Sequence, residues 1–404
     1  MNGALLFAFK VVVGTGFLSF ALVHSQSSPA FRVVKLPTSN DRVTGAYCAS
    51  SKACVISTNV FGGVGSLYAT DGQKIMGTLL TGESRLAESL GTLGTIGFNG
   101  LTKVGNRLIA QIDGAGASFV SATGDITQAA SWSAVKVGTV SGGGTFGLNQ
   151  QMGIGAKDDH WVQFNFRQIY ETSDAPGPGA LWTPLWSPVS PSIPSNFEAL
   201  KRADPKLCDS DPGVSISPHL TQPAYVAPDL SVMLYPSGAR NQRGTDAPGV
   251  CISTDGGKRF HQVTFKGLND GEGPLGVTCH TANKCLAYGG LDSAPNSTFV
   301  YITADAQKGV NSSWAKAKLP TLREDSKFRN LAFAPDGLNG WLVGWSGSND
   351  TLLFQSTDGG MNWKDATSSI RALAPNVRLH AVYALDATHV WIGGEGGVLL
   401  TTGN

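Results

Sequence analysis

One turn recurs at near-even intervals along most of this chain. Its fullest copy is Ser356-Thr357-Asp358-Gly359-Gly360-Met361-Asn362-Trp363, behind the apolar run Leu352 to Phe354, and Ser253-Thr254-Asp255-Gly256-Gly257-Lys258-Arg259-Phe260 repeats it behind Val250 to Ile252. An apolar run, an Asp-Gly-Gly turn and an aromatic residue five positions after the Asp read as strand, tight turn, strand. The Asp carboxylate can accept backbone N–H groups of the turn, and the glycines supply positive φ without steric cost. Eroded copies follow the same plan at Ser66 to Gly72 (Asp71), Phe119 to Asp125, Ile169 to Asp174, Phe299 to Asp305 and Val398 to Gly403, with Gly in place of the last Asp.

Successive copies are spaced 54, 49, 81, 50, 53 and 45 residues apart. A period of about 40 to 50 residues carrying four short strands per unit is the signature of propeller blades. The expected fold is therefore all-β, a seven-bladed β-propeller of four-stranded blades spanning residues 31–404. The 81-residue interval holds extra chain at about residues 175–222, rich in proline: Pro176, Pro178, Pro184, Pro188, Pro191, Pro194, Pro205 and Pro212. Such a density suits a loop that does not join a sheet. The last unit stops at Asn404 before an outer strand can form, whereas Phe31 to Pro37 resembles the outer-strand stretch Trp314 to Pro320. The N-terminal strand is expected to complete the last blade and close the ring.

Composition supports many short strands: 51 glycines and only 15% charged residues. A net charge of +1 gives no electrostatic support to nucleic-acid binding. Residues 1–25 read as a signal peptide, with an apolar core at Val11 to Val23 and small residues near Ser25. An uncleaved anchor is the competing reading, and cleavage leaves no stable membrane insertion. The six cysteines agree with export to an extracellular, periplasmic or lumenal compartment. Cys48/Cys54 and Cys279/Cys285 each straddle an expected hairpin, and Cys208 and Cys251 remain; three disulfides are expected, although six cysteines allow fifteen pairings. No CxxC or HxxxH spacing speaks for zinc. Asn296, Asn311 and Asn349 lie in sequons and would carry glycans in a eukaryotic host.

The S/T-x-D-G-G-x-x-W/F turns resemble the BNR, or Asp-box, repeat of sialidases, sortilin-type receptors and other propellers. The final units, with Gly340-Trp341-Leu342-Val343-Gly344 and Gly394-Glu395-Gly396-Gly397-Val398, are most similar to seven-bladed propellers related to photosystem II stability and assembly factors. The resemblance implies that Asp71, Asp255, Asp305 and Asp358 are structural turns on the face opposite the usual binding surface. It also implies a non-enzymatic platform for a protein or peptide partner. A monomer without cofactor is expected.

The residues offer several chemistries. Arg42 and Arg378 begin inner strands of units one and seven, which adjoin after closure, and Arg329 and His380 lie nearby. Together they would form a basic patch for a carboxylate or an acidic peptide, against the plainer reading that each pairs with a neighbouring acid. A carbohydrate-active propeller, hydrolase or lectin, is the competing function. Sialidase chemistry needs three convergent arginines, a Tyr-Glu nucleophile pair and an acid; Phe31-Arg32 resembles the sialidase Phe-Arg-Ile-Pro motif, but Val33-Val34 follows. Asp158, Asp159, Glu272, Glu324 and Asp325 are candidate glycosidase carboxylates, with solvated loop acids as the alternative. Asp209-Ser210-Asp211 and Asp270-Gly271-Glu272 are too few ligands for calcium. Gly142 to Gly147 matches a dinucleotide fingerprint without a following helix and reads as an inter-blade turn. Trp161, Trp182 and Trp186 flank the Pro-rich insertion as blade core or as a sugar-stacking platform.

Overall fold

Runs of Val, Ile, Leu and aromatic residues broken by glycine turns have high strand propensity and pair locally with their neighbours. The computed structural model describes residues 30–39, 41–60, 63–90, 95–112, 119–135, 151–165, 169–174, 180–186, 197–212, 224–239, 242, 244–289, 298–323, 325–347 and 349–403. Within them lie seven four-stranded antiparallel sheets, each ordered from an inner strand outward. Blade one is Arg42–Ser50, Ala53–Asn59, Ser66–Thr70 and Ile75–Thr81. Blades two and three start at Phe98–Val104 and Gln151–Lys157, four and five at Tyr225–Val226 and Gly276–Cys279, six at Lys327–Phe333.

Blade seven is Leu379–Ala384, Val390–Gly394 and Val398–Thr401, and its outer strand is the N-terminal Arg32–Lys35. That strand pairs antiparallel with Val398–Thr401, from Arg32↔Thr401 to Lys35↔Val398. The inner strands of blades seven and one touch, so the ring closes between the last blade, completed by Arg32–Lys35, and the first. Among the described residues seven buried apolar clusters form the core, most of them sandwiched between consecutive blades; one, with Val43, Ile56, Tyr68 and Trp391, seals the seam between blades one and seven.

Alternating strand direction assigns the two faces. The inner strands begin on the face that also carries the loops between second and third strands; the turns between third and outer strands lie on the opposite face. Asp71, Asp255, Asp305 and Asp358 occupy those opposite-face turns. Asp358 Oδ1 accepts the N–H groups of Met361 (3.1 Å) and Asn362 (3.0 Å), while Trp363 Nε1 donates to Gly360 O at 2.9 Å. Asp71 Oδ1 likewise accepts from Gln73 and Lys74, both at 2.8 Å.

The chain between blades three and four departs from the expected loop. Thr183–Trp186, Pro184 included, is the outer strand of blade three; an edge position spares proline the ladder bond it cannot donate. Further on, helix α1 (Phe197–Ala203) leads into a strap at Lys206 to Cys208 along the outer strand of blade four. Cys208 N donates to Phe260 O at 2.9 Å and Gln262 N to Lys206 O at 2.7 Å, covering that sheet edge. The six cysteines lie as Cys48–Cys54, Cys208–Cys251 and Cys279–Cys285, with S–S distances of 2.08, 2.06 and 2.04 Å. Residues 1–29, the Gly142–Gly147 run, Asn296, Glu324 and Pro176, Pro178, Pro188, Pro191 and Pro194 lie outside the described residues. Among the described residues no helix is long and apolar enough to cross a membrane.

Candidate functional site

The inner strands share a defect that builds the site. In blade seven the register steps from Leu379↔Gly394 to Ala381↔Gly393, with His380 as the extra residue between them; in blade six it steps from Phe328↔Gly344 to Asn330↔Val343, with Arg329 as the extra residue. Blades one and two repeat the step at Thr44 and Asn99. An extra residue on one strand re-aims its side chain, so these four buried side chains leave the regular alternation at the end of the inner strands that faces the channel mouth. Two positions before each bulge stands a cation in three consecutive blades: Lys327 in blade six, Arg378 in blade seven and Arg42 in blade one.

The structure brings Arg42, Arg329, Arg378 and His380 together around two residues that sequence reasoning missed, Trp345 and Glu395. Trp345 is the next-to-last residue of the second strand of blade six, Gly340–Ser346; the guanidinium carbons of Arg329 and Arg378 lie 4.6 and 5.2 Å from its ring centroid, and the His380 ring is 5.4 Å away. Cation–π contacts of this kind hold guanidiniums in place without cancelling their charge. Glu395, in the turn after Val390–Gly394, accepts from Arg42 Nη2 and from His380 Nε2, each at 3.3 Å. Asn349 Oδ1 accepts from Arg378 Nε at 2.6 Å. Glu395 had a signal in the sequence: it is the one charged residue in the run Gly393 to Gly397. Lys327 would have emerged from laying Lys-Phe-Arg, Arg-Leu-His and Arg-Val-Thr over one another.

The expectation that each arginine merely pairs with an acid holds in part for Arg42. Its Nη2 meets Glu395, but its buried Nε and Nη1 have no hydrogen-bond partner among the described residues. Burial, opposed by Glu395, lowers the Arg42 pKa. His380 is nearly sealed, and desolvation brings its pKa down to about 4, so it is neutral at pH 7 and donates Nε2–H to the carboxylate. The hydrogen bond from His380, with Arg42 and Arg378 nearby, holds Glu395 down to about 2.

A depressed histidine pKa makes acid destabilising. Between its unfolded value of about 6.5 and about 4, the unfolded chain takes up the proton and the folded one does not. His380 therefore contributes stability that is complete above this window and falls by up to about 3 kcal/mol as pH drops through it. Urea unfolding at pH 7 and pH 4 should show this loss, and His380→Gln should remove most of the difference. An unchanged difference in the variant would place the acid sensitivity elsewhere.

The other candidates are dispersed. Asp158 and Asp159 sit in a turn of blade three on the opposite face, Asp158 at φ 53°. Glu272 closes its own loop by accepting from Asn269 N at 2.8 Å, and Asp325 precedes the inner strand of blade six. Asp209 accepts from Thr245 N at 2.7 Å. Cys208, Asp246 and Cys251 lie within 4.8 Å of one another, but both cysteines are spent in the disulfide and offer no thiolate. Arg32 donates to Gly72 O at 2.8 Å, away from the arginine cluster. Trp161, Trp182 and Trp186 are buried blade core and present no stacking platform. Asn311 is exposed, whereas Asn349 is engaged with Arg378.

Residues 306–404, about a quarter of the chain, match the family described as photosynthesis system II assembly factor YCF48. No curated protein sequence matches. Among solved structures, YCF48 bound to D1 peptide is similar at TM-score 0.54 and 14% identity, over 94% of this chain and 100% of that one. YCF48 from Cyanidioschyzon merolae gives TM-score 0.58 at 11% identity, over 92% and 98%. A GH74 xyloglucanase from Xanthomonas campestris gives 0.54 at 14%, over 92% of this chain and 53% of the enzyme. At these identities the structural likeness is one of fold; with the family match it supports a YCF48-like seven-bladed propeller.

Proposed function

We propose that this YCF48-like propeller is an exported, non-enzymatic and monomeric platform that binds a protein or peptide partner by seating an acidic group at the Arg42, Arg329 and Arg378 mouth. The observation that carries this reading is the unspent donor capacity of Arg42 within a cluster of arginines. Arg42 and Arg378 stand near the Glu395 carboxylate beside a neutral histidine, Arg329 and Arg378 lie on one tryptophan ring, and Arg42 keeps two donors without a partner among the described residues. Such preorganised donors favour carboxylates, for which guanidinium geometry is well matched. The solved YCF48 with a D1 peptide is consistent with a peptide-binding role for this architecture. The paired cysteines and the apolar N-terminal sequence support an oxidising compartment outside the cytoplasm.

Binding of acidic synthetic peptides and of their Glu→Gln analogues, measured by titration calorimetry, tests the reading. The acidic set should bind and the neutral set should not, and the Arg42→Ala, Arg378→Ala double variant should lose at least about tenfold in affinity, the equivalent of one charge-assisted contact. Equal binding by the variant would remove the mouth from the account.

A second reading, a carbohydrate-active propeller, draws on the same three arginines, since an acidic sugar also presents a carboxylate. Sialidase chemistry further needs a tyrosine nucleophile beside a glutamate. The cluster's Glu395 instead bonds His380 and Arg42, and the buried Tyr288 donates to Arg329 O at 3.3 Å. Turnover of a fluorogenic sialoside that disappears in Arg42→Ala would decide for the enzyme.

A further inference from the structure

The seam between blades two and three holds polar side chains that its packing does not explain. Ile109, Phe119 and Trp161 all belong to the buried cluster between these blades. Successive side chains of a strand alternate faces, so Gln111, Ser121 and Gln163, each two positions further along, project into the same seam. Gln163 is fully buried, yet neither its Nε2 nor its Oε1 has a hydrogen-bond partner among the described residues. The same holds for Ser121 Oγ and for Gln111 Oε1, whose amide nitrogen is occupied by Thr102 Oγ1 at 2.7 Å. The seam between blades one and two differs: there Asn59 Nδ2 donates to Asn99 Oδ1 at 2.8 Å, and Thr44 Oγ1 donates to Phe98 O at 2.5 Å.

A buried amide with neither end bonded is costly to keep, and native proteins seldom leave one so. We propose that Gln163, Ser121 and Gln111 form a buried site for ordered water that bridges blades two and three. The chemistry of the three groups selects the occupant. Each amide and the hydroxyl can both donate and accept, as water does, and a buried water typically makes about three such bonds. A metal cation would find no use for the amide N–H donors, and the set contains no carboxylate to balance its charge. The seam is thus joined by solvent where its neighbour is joined by a direct amide pair.

A high-resolution crystal structure of the full chain tests this. Solvent density within hydrogen-bond reach of both the Gln163 amide and Ser121 Oγ is the expected result. An amide bonded to another protein group, or a dry seam, overturns it. Thermal unfolding of Gln163→Met gives an independent sign. If water fills the site, the variant strips a partner from it and strands Ser121, and Tm falls by about 2–4 °C. If the seam is dry, methionine removes an unsatisfied amide at nearly constant volume, Tm rises, and the proposal fails.

Discussion

Trp345→Ala will cost about 3–5 kcal/mol of stability, the range for truncating a large buried aromatic side chain. The ring is 2% exposed, and its Nε1 has no hydrogen-bond partner among the described residues, so the loss is packing rather than a broken donor. It also supports Arg329, Arg378 and His380 at once. Urea unfolding measures the cost. Trp345→Phe keeps an aromatic face with a weaker cation–π contact and should fall between the two. The mouth should fail with the packing: acidic-peptide binding should weaken in the alanine variant under conditions where it remains folded. A loss below about 1 kcal/mol, the ordinary effect of a single mutation, would show that the ring is not the support described.

The second large effect concerns the strap on blade four. Cys208–Cys251 spans a sequence separation of 43 and joins the strap to the third strand of that blade. Closing a loop of that length removes chain entropy from the unfolded state worth about 4 kcal/mol. Around the disulfide, the buried Asp246 carboxylate accepts from Asp209 N at 2.9 Å and Ser210 N at 2.8 Å and meets Lys201 Nζ at 3.4 Å. Cys208→Ser, Cys251→Ser should therefore lower stability by about 2–5 kcal/mol, and limited proteolysis should now cut between α1 and blade four. Resistance equal to that of the parent chain would mean that the hydrogen bonds alone hold the strap.

The ring was legible because its information is periodic. Asp358 and its copies mark third-to-outer turns wherever they occur, and the stretch Phe31 to Pro37 betrays an outer strand displaced to the start of the chain. For Trp161, Trp182 and Trp186 the sequence left core and stacking platform open, and burial decides for the core. Pro184 misled, because proline density speaks against central strands but not against an outer one. Arg42 and Arg378 could be equated from their place before inner strands. Their partners were harder, since Trp345 lies in a strand of blade six and Glu395 in a turn of blade seven, and only the packing of blade against blade and the closure onto blade one bring them beside the arginines. Gln163 reveals itself only when strand alternation is combined with burial.

The repeated bulge at Thr44, Asn99, Arg329 and His380 sets buried polar side chains where the inner strands reach the mouth. Thr44 and Asn99 tie blade one to blade two, and His380 bonds Glu395, so these positions belong to the framework. The cations two places before them, Lys327, Arg378 and Arg42, are half-buried, and the mouth can be rewritten one blade at a time by exchanging them with less penalty to the core. Different propellers built on this plan could recognise different partners through a short string of such positions, read around the ring like the teeth of a key.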